Sequence, residues 1–214
     1  MTTRIDIKCI FVSPSSNMKT TRPYVMTARA EAVAQTRERI LRAVIGLAGH
    51  GPLAAISLSA VAADADVSVQ TVLRQFGSRD GLIDAAVEVA HQQIATERSS
   101  PPDDVPGALS ALVDSYEKGG DSSILLLGQQ PNDTRAARIA TLGREFHRAW
   151  VEDVFAHLLG DTGPEREEMV DMLVIATDVY TWKLLRRDRG LSRDVVLDRM
   201  TKLAQAVVRG GNDD

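Results

Sequence analysis

Short polar side chains that could contact a nucleic-acid base or phosphate cluster in the segment 56–82, ISLSAVAADADVSVQTVLRQFGSRDGL. The candidates at the start of its second predicted helix are Ser68, Val69, Gln70, Thr71 and Arg74. A glutamine side chain can pair through two hydrogen bonds with the edge of an adenine in the major groove. We therefore predict that Gln70 reads a base of double-stranded DNA, with Arg74 one turn later on the same helix.

Hydroxyl and cationic side chains flank this group at the starts of other predicted helices. Thr36, Ser57, Ser68 and Ser78 each precede an apolar pattern at helical spacing, so we predict that each one is an N-cap. A capping hydroxyl and the free N–H groups beside it suit a phosphate oxygen. Arg79 falls in the first turn of a helix, where the helix dipole disfavours a cation. We therefore expect Thr36, Ser57 and Arg79 to be further DNA contacts.

The spacing of the apolar residues predicts how this polar group is held. A short helix, a turn of about three residues and a second short helix form the arrangement of a helix-turn-helix. Small residues in the turn, such as Ala62 and Ala65, let the two helices approach each other. The predicted buried residues of the second helix are Val72, Leu73 and Phe76, with Val61 and Val67 before them.

The remaining pattern predicts an all-α protein of about nine helices. Residues 1–30 look like an irregular, basic tail, and the helix-turn-helix domain covers residues 31–90. A polar, proline-broken connector at 97–104 leads to a helical domain at residues 105–210. The predicted helices are 36–51, 57–64, 68–76, 78–90, 105–118, 122–130, 134–159, 164–187 and 192–209.

Composition and charge limit the class of protein. The 214 residues carry a net charge of −4, but residues 1–42 hold five more basic than acidic residues. A basic N-terminal part on an otherwise acidic protein can orient the molecule toward phosphate groups. The single cysteine, Cys9, excludes an internal disulfide scaffold. Apolar runs are too short for a membrane span, so we expect a cytoplasmic protein.

No pattern typical of an enzyme stands out in the sequence. The four histidines are scattered without metal-ligand spacing, and no glycine-rich phosphate loop follows a strand. We therefore expect no metal, no cofactor and no catalysis. Two alternatives stay open: a helical adaptor that has lost DNA binding, and a small helical enzyme that uses Asp171 or Asp178 in a pocket.

Residues 36–90 resemble the TetR family of bacterial transcriptional regulators. The resemblance is carried by a first helix ending at Gly51, the Ser-initiated helix SLSAVA, the Val67-Ser68 pair after the turn, and the closing Ser78-Arg79-Asp80-Gly81-Leu82. Three positions depart from the family pattern. Asp66 replaces the usual turn glycine, Leu73 the usual phosphate-contacting tyrosine, and Gln75 the usual histidine or tyrosine.

The resemblance implies a mechanism for the whole chain. Such proteins are homodimers that bind a palindromic operator and release it when a small-molecule effector enters the helical domain. The dimer helices would here be 164–188 and 192–209. Five aromatic residues of the helical domain, four of them with a polar group, are candidates for the effector pocket, with ordinary core packing as the alternative reading. They are Tyr116, Phe146, His147, Trp150 and Tyr180.

Overall fold

The computed structural model describes residues 21–160 and 162–210, and these residues form nine α-helices and no strand. The predicted all-α fold is therefore confirmed. Three short turns of other helix types lie at Leu53–Ala55, Ala156–Leu158 and Leu184–Asp188. The helices are α1 (Thr21–Ala48), α2 (Leu58–Asp64), α3 (Val69–Phe76), α4 (Arg79–Glu97), α5 (Val105–Leu127), α6 (Thr134–Val154), α7 (Pro164–Thr177), α8 (Val179–Lys183) and α9 (Arg193–Gly210).

Three serines cap the helices of the helix-turn-helix segment, as predicted. Ser57 accepts a hydrogen bond from the Ala60 N–H at 3.1 Å, and Ser68 accepts one from the Thr71 N–H at 3.1 Å. Ser78 accepts one from the N–H of Gly81 at 3.0 Å. Each bond satisfies a backbone donor that has no partner within its own helix, and so fixes where α2, α3 and α4 begin.

The first helix differs from the prediction. Helix α1 begins at Thr21, so residues 21–30, which we expected to be irregular, are helical. Residues 1–20 of the predicted tail lie outside the described residues. Thr36 is therefore no N-cap: it lies inside α1, where its hydroxyl donates to the Ala32 carbonyl oxygen at 2.8 Å. Pro23 lies in the first turn of this helix, where a proline is tolerated.

The helical domain also differs from the prediction in two places. The two stretches predicted at 105–118 and 122–130 form one continuous helix, α5. The single helix predicted at 164–187 is instead broken at Asp178, whose backbone is extended. The Asp178 carboxylate accepts a hydrogen bond from the N–H of Tyr180 at 2.7 Å and so starts α8 as a new helix.

Residues from Arg37 onward pack as one compact unit that contains two hydrophobic clusters. The first cluster joins α1 to α4 around Ile40, Val61, Val72 and Leu82. The second joins α5 to α9 and includes Tyr116, Phe155, Leu173, Trp182 and Met200. The connector predicted at 97–104 corresponds to the loop between α4 and α5. Along the chain, the second cluster therefore begins with α5, the helix that follows α4.

The turn between α2 and α3 has the backbone that the sequence predicts. Asp66 has a φ of 52°, in the left-handed region that glycine usually occupies. Aspartate is one of the few residues that tolerate this region, so the turn keeps its shape without a glycine. The Val67 N–H donates to the Ala62 carbonyl at 2.9 Å and closes the turn. None of the described helices is apolar over a length that would cross a bilayer.

Candidate nucleic-acid interface and internal cavity

Helix α3 has one face in the core and one face in solvent. Val72 is fully buried, and Val69 and Phe76 are half-buried against the first hydrophobic cluster. On the opposite side, Gln70 and Arg74 are exposed and lie four residues apart, so their side chains are neighbours. The structure therefore brings the predicted reading residues together, while it places most of Val69 in packing.

Leu73 departs from the predicted core. It is exposed, with 36% of its surface accessible, and it lies between the side chains that point to solvent. The guanidinium of Arg37 lies 4.5 Å from the centre of the Phe76 ring, which anchors the end of α3 against α1. Gly77 then ends the helix with a φ of 76°. The exposed face of α3 is thus held in place at both ends of the helix by contacts that its opposite face makes with the core.

The hydroxyl groups of this surface are partly used within the protein. Ser68 and Thr71 form a hydroxyl pair with an oxygen–oxygen distance of 3.0 Å, so one of the two hydroxyl hydrogens is committed. Ser57 and Ser78 act only as acceptors from the backbone, so each keeps a hydroxyl hydrogen for another acceptor. These two exposed serines remain candidates for phosphate contact.

Arg79 makes contacts within the protein that the sequence analysis did not predict. Its guanidinium donates to the Ile56 carbonyl at 2.6 Å and to the carbonyl of Leu53, and it also approaches the Asp80 carboxylate at 3.8 Å. Most of its donors are therefore directed into the protein. Charged hydrogen bonds of this kind fix the start of α4 to the chain before α2. This geometry favours an internal brace over the expected contact with phosphate.

A cavity of about 530 Å³ lies among α1, α4, α5 and α6, extending to the start of α8. Its volume falls in the range typical of small-molecule sites. The wall is largely apolar, with residues such as Ala90, Ile94, Ile139 and Ala140. Polar groups at the wall include His91, Arg98, Ser115 and Asp178.

Two of the five predicted pocket residues, Tyr116 and His147, line this cavity. Phe146, Trp150 and Tyr180 do not. The Phe146 ring stacks on His91 with 5.7 Å between ring centres, so it lies behind a residue of the wall. Trp150 stacks on His147, also at 5.7 Å, and its Nε1 is buried without a partner among the described residues. Tyr180 is exposed on α8, because Asp178 restarts the helix there and turns the side chain outward.

The polar groups behind the cavity wall bond to one another through Thr177. The Tyr116 hydroxyl donates to the Thr177 carbonyl at 3.1 Å, and His147 Nε2 lies 3.1 Å from the Thr177 hydroxyl. Burial, reinforced by the charge of Arg98, lowers the pKa of His147 to about 4. Burial likewise raises the pKa of Tyr116 above its usual range. Both side chains are therefore neutral at physiological pH.

Arg98 is the functional candidate that the sequence analysis missed. It is 8% exposed at the end of α4, and its Nε donates to the hydroxyl of Ser115 at 3.3 Å. Its guanidinium lies 4.9 Å from the centre of the Tyr116 ring. Arg98 follows Ala90 and Ile94 at intervals of four residues, so helical spacing puts it on their inward stripe. This spacing could have identified Arg98 as an inward-facing residue from the sequence alone.

The fold and the polar face of α3 define a helix-turn-helix DNA-binding protein. Residues 40–86 match the family model described as bacterial regulatory proteins, tetR family. Over this segment the chain has the helix-turn-helix DNA-binding domain of TetR-family bacterial transcriptional regulators.

Proteins similar to this chain over most of its length are also transcriptional regulators. The chain is 28% identical over 163 residues to the HTH-type transcriptional repressor KstR of Rhodococcus jostii, covering 73% of this chain and 74% of that protein. A TetR-family transcriptional regulator from Streptomyces coelicolor superposes with a TM-score of 0.64 at 16% identity, over 85% of this chain and 90% of its own. A transcriptional regulator from Rhodococcus sp. gives 0.62 at 17% identity, over 81% and 96%. These two structures share the fold.

Proposed function

We propose that this regulator represses transcription as a homodimer that binds a palindromic operator and releases it when a small molecule enters the cavity. The observation that carries the proposal is the exposed pair Gln70 and Arg74 on a helix whose other face is anchored in the core. The similar protein from Rhodococcus jostii is a transcriptional repressor, which supports repression as the direction of control. An operator-binding role places the protein in the cytoplasm.

Exposed apolar side chains on α7 and α9 support a dimer interface there. Ile175 is 67% exposed on α7, and Leu203 is 46% exposed on α9. These helices pack against each other in one chain, so their outer sides form a continuous surface. Two such helices from each subunit would form a four-helix interface, which the second copy would shield from water.

Helix α4 provides a physical link between the two proposed sites. Arg79 at its start bonds to the carbonyls of Leu53 and Ile56 next to α2, and Arg98 at its end lines the cavity. A ligand that shifts the end of α4 would therefore also shift Arg79 and its hydrogen bonds to the chain just before α2. We propose that this movement changes the separation of the two reading helices in the dimer.

DNA recognition is tested by replacing Gln70. With an operator selected from a random duplex library, we expect Gln70→Ala to weaken specific binding by about 1–3 kcal/mol and to relax the preference at one or two base pairs. Non-specific binding should stay unchanged because the amide contacts no phosphate. Fluorescence anisotropy against operator and scrambled duplexes measures both affinities.

The control for this test is Gln92→Ala, because Gln92 is exposed on α4, away from the reading face, and bonds to Glu88. It should bind both duplexes like the wild type. An equal loss of specific and non-specific affinity in Gln70→Ala would contradict the base-reading role. Failure of the wild type to bind any selected duplex would favour the helical adaptor. Turnover of a small molecule without DNA binding would favour the enzyme that uses Asp171 or Asp178.

The brace role of Arg79 is tested by comparing stability with salt dependence. We expect Arg79→Met to lower the free energy of unfolding by about 2 kcal/mol, because it removes charged hydrogen bonds to two carbonyls. The slope of log Kd against log salt concentration should not change. Arg74→Met, the matched variant on the exposed face, should lower that slope by about 1 and leave stability within about 0.5 kcal/mol. A reduced slope in Arg79→Met would restore the phosphate role.

A further inference from the structure

The cavity wall contains a buried positive charge that the described residues do not neutralise. Arg98 is 8% exposed, and no carboxylate among residues 21–160 and 162–210 forms an ion pair with it. Its one hydrogen bond of good geometry in that part of the chain runs from Nε to the Ser115 hydroxyl, and its guanidinium also approaches the side chain of Tyr116. The terminal nitrogens of the guanidinium are thus left without a protein acceptor there. Burying a charge without a partner is costly, so such a site favours an anionic ligand.

The other charged groups of the wall do not compete for that ligand. Lys118 pairs with Glu97 at 3.3 Å, and Arg144 donates to Gln130 at 2.8 Å. Asp178 accepts a hydrogen bond from the N–H of Tyr180 and forms no ion pair with Arg98 among the described residues. Burial raises the pKa of its carboxyl group although the charge of Arg98 lowers it, and this shift favours the neutral form, which does not repel an anion.

Two neutral polar groups of the wall, Tyr116 and His147, offer no donor to an anion. Tyr116 donates its hydroxyl hydrogen to the Thr177 carbonyl. The Thr177 hydroxyl itself donates to the Leu173 carbonyl, so His147 donates to it through Nε2, and the buried His147 Nδ1, which has no partner among the described residues, is an acceptor. The rest of the wall near Arg98 is apolar, with Ala90 and Ile94 on the preceding turns of α4. Of these cations of the wall, Arg98 is buried, whereas Lys118 and Arg144 are exposed, and an apolar surface adjoins Arg98.

We propose that the effector is an apolar molecule with a single carboxylate, and that Arg98 binds this carboxylate through its terminal guanidinium nitrogens. This inference rests on the proposed function, since it names the ligand class of the same cavity. The planar guanidinium matches the two oxygens of a carboxylate. A phosphate monoester carries a charge of about −1.5 to −2 at neutral pH, more than one arginine neutralises. The cavity of about 530 Å³ has room for a medium-sized apolar body.

Matched acids and alcohols test the proposal on the full chain. The probes are decanoate with decan-1-ol, and 4-phenylbutyrate with 4-phenylbutan-1-ol, so that each pair differs only in the end group. We expect wild-type protein to bind each acid at least about tenfold more tightly than its alcohol at neutral pH, by isothermal titration calorimetry. Arg98→Met keeps an unbranched apolar stem and should lose this preference, while its affinity for the alcohols stays within about twofold.

Arg144→Met removes another cation of the same wall and should keep the preference for acids. Alcohol binding by Arg98→Met also reports that the variant is folded with its cavity intact. The proposal is overturned if the wild type binds acid and alcohol alike, if it binds neither acid at millimolar concentration, or if Arg98→Met keeps the preference. Operator binding is measured separately by anisotropy. If the wild type binds no operator but still binds acids more tightly than alcohols, the proposed regulatory function is rejected and the carboxylate site is not.

Discussion

Replacing Trp182 with alanine will lower the free energy of unfolding by about 3–5 kcal/mol, the cost typical of removing a buried aromatic side chain. Trp182 is the largest fully buried side chain of the described residues. Its ring lies 5.9 Å from that of Tyr116, and Arg187 covers one face at 4.6 Å. The indole N–H donates to the carboxylate of Glu117 at 3.0 Å. Urea unfolding at fixed protein concentration measures the loss, because a dimer's stability depends on concentration.

Neighbouring glycines on α5 show why Trp182 fits so closely. A methyl group on Gly120 would come within 2.5 Å of Cζ3 of the Trp182 ring, whereas one on Gly119 would meet nothing within 4 Å. Gly120→Ala should therefore destabilise the protein by about 1–3 kcal/mol through overpacking. Gly119→Ala should stabilise it by about 0.5–1 kcal/mol, since alanine favours a helix. Equal effects of the two variants would contradict the close contact of α5 with Trp182.

The stability of the wild type should fall by about 3 kcal/mol more than that of His147→Gln as the pH drops from 7 to 4. The buried ring has a pKa of about 4 in the folded protein and about 6.5 when unfolded. Between these values the unfolded chain binds more protons, so stability is present above pH 6.5 and is lost as the pH falls toward 4. Urea unfolding at several pH values measures the difference between the two proteins.

The comparison with His147→Gln isolates this one titration. Burial raises the pKa of Asp178, which opposes the histidine by favouring the folded state at low pH, but this carboxyl group is present in both proteins. Arg98 also remains in both. His50→Gln, which replaces an exposed histidine after α1, should keep the wild-type profile. A parallel loss of stability in the wild type and His147→Gln would mean that the ring is not held neutral by burial.

Local signals in the sequence predicted the reading unit well. A serine before an apolar helical stripe predicted the caps at Ser57, Ser68 and Ser78, because a cap depends only on residues within one turn. Asp66 was predicted to take the left-handed turn position for the same reason. The exposed polar side of α3 followed from helical periodicity alone.

Features that depend on distant residues could not be predicted in this way. The acceptors of Arg79 lie 23 and 26 residues earlier in the chain, so its bonds to Ile56 and Leu53 have no local signal. Leu73 is exposed because of the way α3 packs on the rest of the protein, although its apolar side chain suggested a position in the core. Gly120 in α5 lies against the ring of Trp182, which is supplied by another helix, so the reason for a glycine at this position has no local signal.

The 19-residue helix α4 has a thermodynamic consequence under the proposed mechanism. It spans about 28 Å, with Arg79 at one end and Arg98 at the other. If a carboxylate at Arg98 weakens operator binding tenfold, linkage requires that the operator weaken carboxylate binding by the same factor. Protein already on DNA would then respond only at higher effector concentrations than free protein. The affinity of the operator for the protein would then help to set the effector concentration at which repression ends.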